Sequence, residues 1–288
     1  MRSLVRLAPL AVSASILAGS APAIAQTKPA HARTAKAAEP KPLDRKTLKA
    51  LRAKLAGAPA EVVEALAAAE SAGPPAAAIA PEIEAILRRG STAEIVEGAL
   101  RALGAMGAPT SSAAVAPYVR HRVPALRRAA ARALARLPGG ATGQALREGL
   151  RSSDGQVRGF SAAGLGAIGA REALPDLFLA LDHDVPEAAV AIGQLCEPEE
   201  CKRFVDRLGK IGLDVMTSGI EPILFRKSAL HEDFLLGVVT SLRDLGTPEA
   251  RRYLADVAAR WPAAGSKRVK QALESAAASI PEKLGGKP

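Results

Sequence analysis

Aromatic side chains are nearly missing: one Trp, two Tyr and five Phe serve a chain of 288 residues. A core built on Ala and Leu instead brings helix axes to the short end of the usual range of roughly 8–10 Å, which predicts tight packing with little room for a deep apolar pocket. Cysteine is also scarce. Cys196 and Cys201 are the only two, and no His lies beside them to complete a zinc set. Acidic residues are absent from Gly98 to Arg147, although eight arginines fall there. No G-x-S-x-G elbow, phosphate loop, H-E-x-x-H helix or array of paired catalytic carboxylates can be assembled from the chain. The sequence therefore points away from an enzyme and calls for no cofactor.

One apolar run exists. It starts at Leu7, is broken by Pro9 and Gly19, follows Arg2 and Arg6, and ends in Ala23-Ile24-Ala25 before Gln26. That three-part layout predicts a secretory signal peptide over residues 1–25, cleaved between Ala25 and Gln26. The expected location is periplasmic or secreted, with no transmembrane segment after cleavage.

The net charge of +10 is unevenly placed. Residues 26–56 carry +7, whereas 57–288 carry only +1. The basic balance thus describes a tail and one helix, and nucleic-acid binding does not follow from it. Residues 26–43, rich in Pro, Ala and Lys, read as a disordered basic linker, either a plain spacer or a tether to an anionic surface. Residues 283–288 read as a disordered tail.

Between them a unit recurs. Core positions Leu66, Leu103, Leu134, Leu165, Ile192, Leu242 and Leu273 each sit in a similar helical setting, at steps of 37, 31, 31, 27, 50 and 31 residues. The clearest copy runs from Asp154 to Asp184. There Val157, Phe160, Gly164, Leu165 and Ile168 share one helical face, and Leu174, Leu177, Phe178 and Leu181 share another. Stacked helical hairpins, each burying its apolar face on its neighbours, are the expected architecture of 44–282. Helix starts are expected at the capping box Ser91 to Glu94 and at Pro124, Pro186, Pro198 and Pro248.

The pattern Asp154, Val157-Arg158, Ala162-Ala163, Gly164-Leu165-Gly166-Ala167-Ile168-Gly169, Leu174-Pro175-Asp176-Leu177 resembles the HEAT-like repeat family in its short bacterial, lyase-type form. Residues 125–137 repeat it less completely. The resemblance covers 92–196 well and 44–280 loosely, and implies an all-α, right-handed α-α superhelix of about six to seven hairpins. It also implies a scaffold that binds a protein or other macromolecule, or alternatively an enzyme or lyase-like subunit on the same repeats. HEAT-like enzymes that hold iron use several His-Glu pairs, and only His231-Glu232 occurs here.

Gly164 to Gly169 also spells G-x-G-x-x-G, but a helix precedes it where a dinucleotide turn requires a strand. The glycines are expected to allow close helix contact and a helix stop. Cys196 and Cys201 flank a four-residue turn that a disulfide could bridge, with paired free thiols as the alternative. Arg128, Arg132 and Arg136 step by four along one helix, forming either a solvated face or a landing surface for an acidic protein, lipid phosphate or polysaccharide. Arg127 and Arg158 occupy the repeat's own arginine slot. The long step over 197–233 predicts an irregular insertion, with Met216, Ile223, Leu224 and Phe225 as candidate contacts.

Overall fold

The computed structural model describes residues 41–226 and 230–282. The expected signal peptide, almost all of the basic linker and the C-terminal tail lie outside the described residues. Those described contain fifteen α-helices and short 3-10 turns, with no β-strand among them.

In chain order the helices are α1 (Arg45–Leu55), α2 (Pro59–Ala72), α3 (Ala80–Arg89), α4 (Ala93–Met106) and the one-turn α5 (Ser112–Val115). Next come α6 (Pro124–Leu134), α7 (Thr142–Gly149), α8 (Gly155–Ala167), α9 (Leu174–Asp182) and α10 (Glu187–Leu195). The chain finishes with α11 (Pro198–Val205), α12 (Leu213–Phe225), α13 (Glu232–Asp244), α14 (Pro248–Arg260) and α15 (Lys267–Ser279). Their starts follow local chemistry. Asp154 accepts the Gln156 and Val157 N–H groups at 3.0 and 3.4 Å, satisfying donors that the first turn of α8 leaves open. The cap expected at Ser91 is made by Thr92 instead. Pro124, Pro198 and Pro248 open their helices, whereas Pro186 caps α10 from one residue before it.

The even-numbered helices α2, α4, α6, α8, α10 and α12 stand side by side in one row, each packed on the next. The helices between them form the second layer of an all-α solenoid. The repeat anchors Leu66, Leu103, Leu134, Leu165 and Ile192 lie along the row, all buried, each removing apolar surface worth about 2 kcal/mol from water. The segment read as an insertion is no interruption. Its α12 supplies the next helix of the row, with Ile220 fully buried 28 residues after Ile192. After α12 the order changes: α13, α14 and α15 pack chiefly on one another.

Close approach within the row depends on small residues. On α8, a Cβ at Gly164 would sit 2.9 Å from the Ala135 Cα, and one at Gly166 would sit 2.9 Å from the Ala191 Cα. One glycine therefore faces α6 and the other α10. Gly169, at φ 73°, turns the chain out of α8. The G-x-G-x-x-G string is thus two helix contacts and a stop, as its helical context predicts. Gly193 meets the backbone of Gly219 on α12 more closely still, leaving no room for a Cβ.

A candidate docking face on the helix row

Register decides what the row shows to solvent. Two residues before each anchor come Arg101, Arg132, Ala163 and Val190; two after come Ala105, Arg136, Ala167 and Gln194. From α6 to α10 this face passes from guanidinium groups to Ala163, Ala167 and Val190 and ends on the polar Gln194, all exposed or half-buried.

The acid-free stretch makes its arginines seek carboxylates elsewhere. Arg101 reaches Glu70 on α2 and Glu97 on its own helix, both at 3.0 Å. Arg120 reaches Glu148, and Arg147 reaches Asp176 at 2.7 Å. Arg127 and Arg158, in the repeat's arginine slot, donate to loop carbonyls five or six residues back: His121 and Arg122 for one, Ser152 for the other. Their role is structural, as the register implies.

The expected stripe therefore divides. Arg128 is bound at 2.7 Å to Asp154, the N-cap of α8, where the carboxyl is 7% exposed. Burial pushes the Asp154 carboxyl up, but the hydrogen bonds from Arg128, Gln156 and Val157 outweigh it and hold the group below the usual carboxylate range. Arg132 lays its guanidinium over the Phe160 ring, 4.6 Å from the centroid, which leaves its charge facing solvent. Arg136 has no ion-pair partner among the described residues. Arg132 and Arg136 remain as the open cations of the stripe.

The contacts expected on 197–233 need correction. Met216, Ile223 and Leu224 are 0, 1 and 5% exposed and belong to the core. Together with Ile220 they occupy one helical face, a spacing that itself signals burial. Phe225 alone is half-exposed, with Arg260 over its ring at 5.3 Å and Trp261 at 5.8 Å. Cys196 and Cys201 are joined in a disulfide across the α10–α11 turn, and both are fully buried.

Beside the face, Gln194, Ser218, Glu221, Pro222, Phe225 and Arg226 surround an open cleft of about 640 Å³. Arg226 was missed by sequence reasoning because its significance is tertiary. Its guanidinium donates to the carbonyls of Cys196 at 2.8 Å and Gly193 at 2.6 Å, groups that the end of α10 leaves unpaired. Among the described residues no cluster of His, Cys, Asp and Glu could hold a metal ion, and no helix is long and apolar enough to cross a membrane.

Residues 80–156 match the family model of HEAT repeats. No curated protein matches the sequence. Among solved structures, the chain is similar to the complex of CpcE and CpcF of phycocyanin lyase from Nostoc sp. PCC7120. That match has a TM-score of 0.46 at 20% identity, over 83% of this chain and 97% of that one. It is also similar to an engineered protein, with a TM-score of 0.40 at 16% identity, over 82% and 97% of the two chains.

Proposed function

Taking the chain as a carrier of HEAT repeats, we propose that it is an exported, non-enzymatic scaffold that binds an acidic protein on the exposed face of α6, α8 and α10. One observation carries this reading. Arg132 and Arg136 have no carboxylate partner among the described residues, and they border the small side chains Ala163, Ala167 and Val190. Open cations beside a shallow apolar strip give a partner both charge attraction and area to bury. A row of packed helices holds that surface in place before binding, so little ordering is needed on this side. Export rests on the signal-like layout of residues 1–25 and on the joined cysteines, which suit an oxidising compartment.

The test is a photo-crosslinker placed at Ala163 in the exported chain, with the captured protein then identified and purified. Binding of that partner should weaken as salt rises and fall roughly tenfold or more for R132E/R136E. An unchanged affinity under both conditions would remove the face from consideration.

A further inference from the structure

The Ala-rich core predicts little room for a deep apolar pocket. That expectation fails where the row ends. A cleft of about 900 Å³ opens between the C-terminal end of α12, the start of α13 and the α14–α15 turn. Leu224, Phe225, Leu230, Leu235 and Trp261 supply its apolar lining, so two of the chain's eight aromatic residues are gathered there. The volume falls within the range of small-molecule sites.

Arg226 lines this cleft as well as the smaller one on the row. Two carbonyls and the two disulfide sulfurs engage part of its five-donor guanidinium. Its Nε–H and its second Nη1–H have no partner among the described residues, and no carboxylate there lies within ion-pair distance. Burial pushes the group down from its ordinary range, with Arg171 adding to the effect and the more distant charge of Glu197 opposing it only in part. The acid on the cleft wall, Glu232, is already engaged: it accepts from Ser266 and from Arg268 at 3.2 Å. Glu221, at the edge of the smaller cleft, is held by Arg260.

We propose that this cleft binds a small molecule with an apolar body and a single carboxylate end, the carboxylate at Arg226 and the body against Phe225, Leu230, Leu235 and Trp261. The apolar lining would take up the body by burial, and the uncommitted N–H groups suit a carboxylate. This site is separate from the docking face and does not depend on it.

Trp261 is the only tryptophan, so its fluorescence reports on the cleft alone. The mature chain is titrated with octanoate and with 1-octanol, and calorimetry provides an independent affinity. Octanoate should shift the Trp261 emission saturably and bind roughly tenfold or more tighter than the alcohol. In R226Q the two should bind about equally. Because Arg226 also caps α10, a second variant, Leu235→Glu, keeps the guanidinium and places charge on the apolar wall; helicity should be unchanged and octanoate binding lost. Equal binding of acid and alcohol by the unmodified chain, no saturable response, or full octanoate binding by L235E would overturn the proposal.

Discussion

Helices α4 to α10 and helices α12 to α15 solve the same packing problem with different materials. In the first group neighbours meet through what is missing: Gly104 against Ala133, Gly164 against Ala135, Gly166 against Ala191. In the second, specific side chains carry the contact. Tyr253 donates to the Thr217 carbonyl, Arg260 binds Glu221, and Trp261 donates to the Ser266 carbonyl at 3.1 Å. Small-residue contacts can be repeated with little change, because any helix with a bare stripe fits any other. Contacts made by large or polar groups are individual. The difference explains why the row is uniform, why it stops, and why the larger cleft lies just past its end.

The sharpest way to break the contrast is at Gly193, where the row's last contact leaves no space for a side chain. Gly193→Ala should lower unfolding stability by about 3 kcal/mol, since backbone and not a flexible side chain must move; denaturant unfolding measures this. A loss below about 0.5 kcal/mol would mean that α10 and α12 are not in the contact described. Next in size is the cross-link. Replacing Cys196 and Cys201 together with Ala should cost about 2 kcal/mol by the loop-closure estimate for so short a loop, read from the same unfolding curves under oxidising conditions.

Asp154 tests the tie between neighbouring helices of the row. D154N should cost about 1 kcal/mol, chiefly through the lost charge of the bridge to Arg128, since Asn caps a helix about as well as Asp. The pH dependence has a definite sign. Asp182 is likewise held below the usual carboxylate range, chiefly by the hydrogen bond from Arg207. A carboxyl depressed on folding stabilises the protein above its unfolded value, about 3.9, and that contribution is lost as pH falls through the folded value. Melting temperature should therefore be flat with respect to these groups above about pH 5 and decline below about pH 4, less steeply in D154N.

A smaller effect of opposite sign is expected in the C-terminal group. Gly237 lies inside α13 with nothing near the position of an added Cβ, so Gly237→Ala should raise stability by about 0.5–1 kcal/mol. Smallest of all, R136E, exposed and without a carboxylate partner among the described residues, should leave stability within about 0.5 kcal/mol of the unmodified chain, and R132E should lose only the contact with Phe160, about 0.5 kcal/mol. Their measurable consequence belongs to partner binding.

This contrast also marks how far the sequence could be read. Leu103, Leu134, Leu165 and Ile192 were legible as one spine because each is set among Ala and Gly at fixed offsets, and those offsets are the contacts themselves. Helix α12 was not. Around Ile220 the string is Gly-Ile-Glu-Pro, which preserves the close approach at Gly219 and discards the rest of the pattern. The spacing of Met216, Ile220, Ile223 and Leu224 was nevertheless a core signal in plain view. Of the arginine stripe, the register showed which residues share a face, but only coordinates show that Asp154, 26 positions from Arg128 in sequence, takes one of the three. The role of Arg226 had no local signal, since its partners lie 30 and 33 residues back along the chain.

The ionic ties between units have a consequence for how such a chain can change. Arg52 to Glu82, Arg101 to Glu70, Arg128 to Asp154 and Arg147 to Asp176 each join one unit to an adjoining one and reach no farther. Duplicating or deleting a whole unit would therefore disturb partnerships at a single seam while every other stayed intact. Length is then a quantity that gene rearrangement can adjust in steps, and the face offered to a partner can grow or shrink without rebuilding the rest.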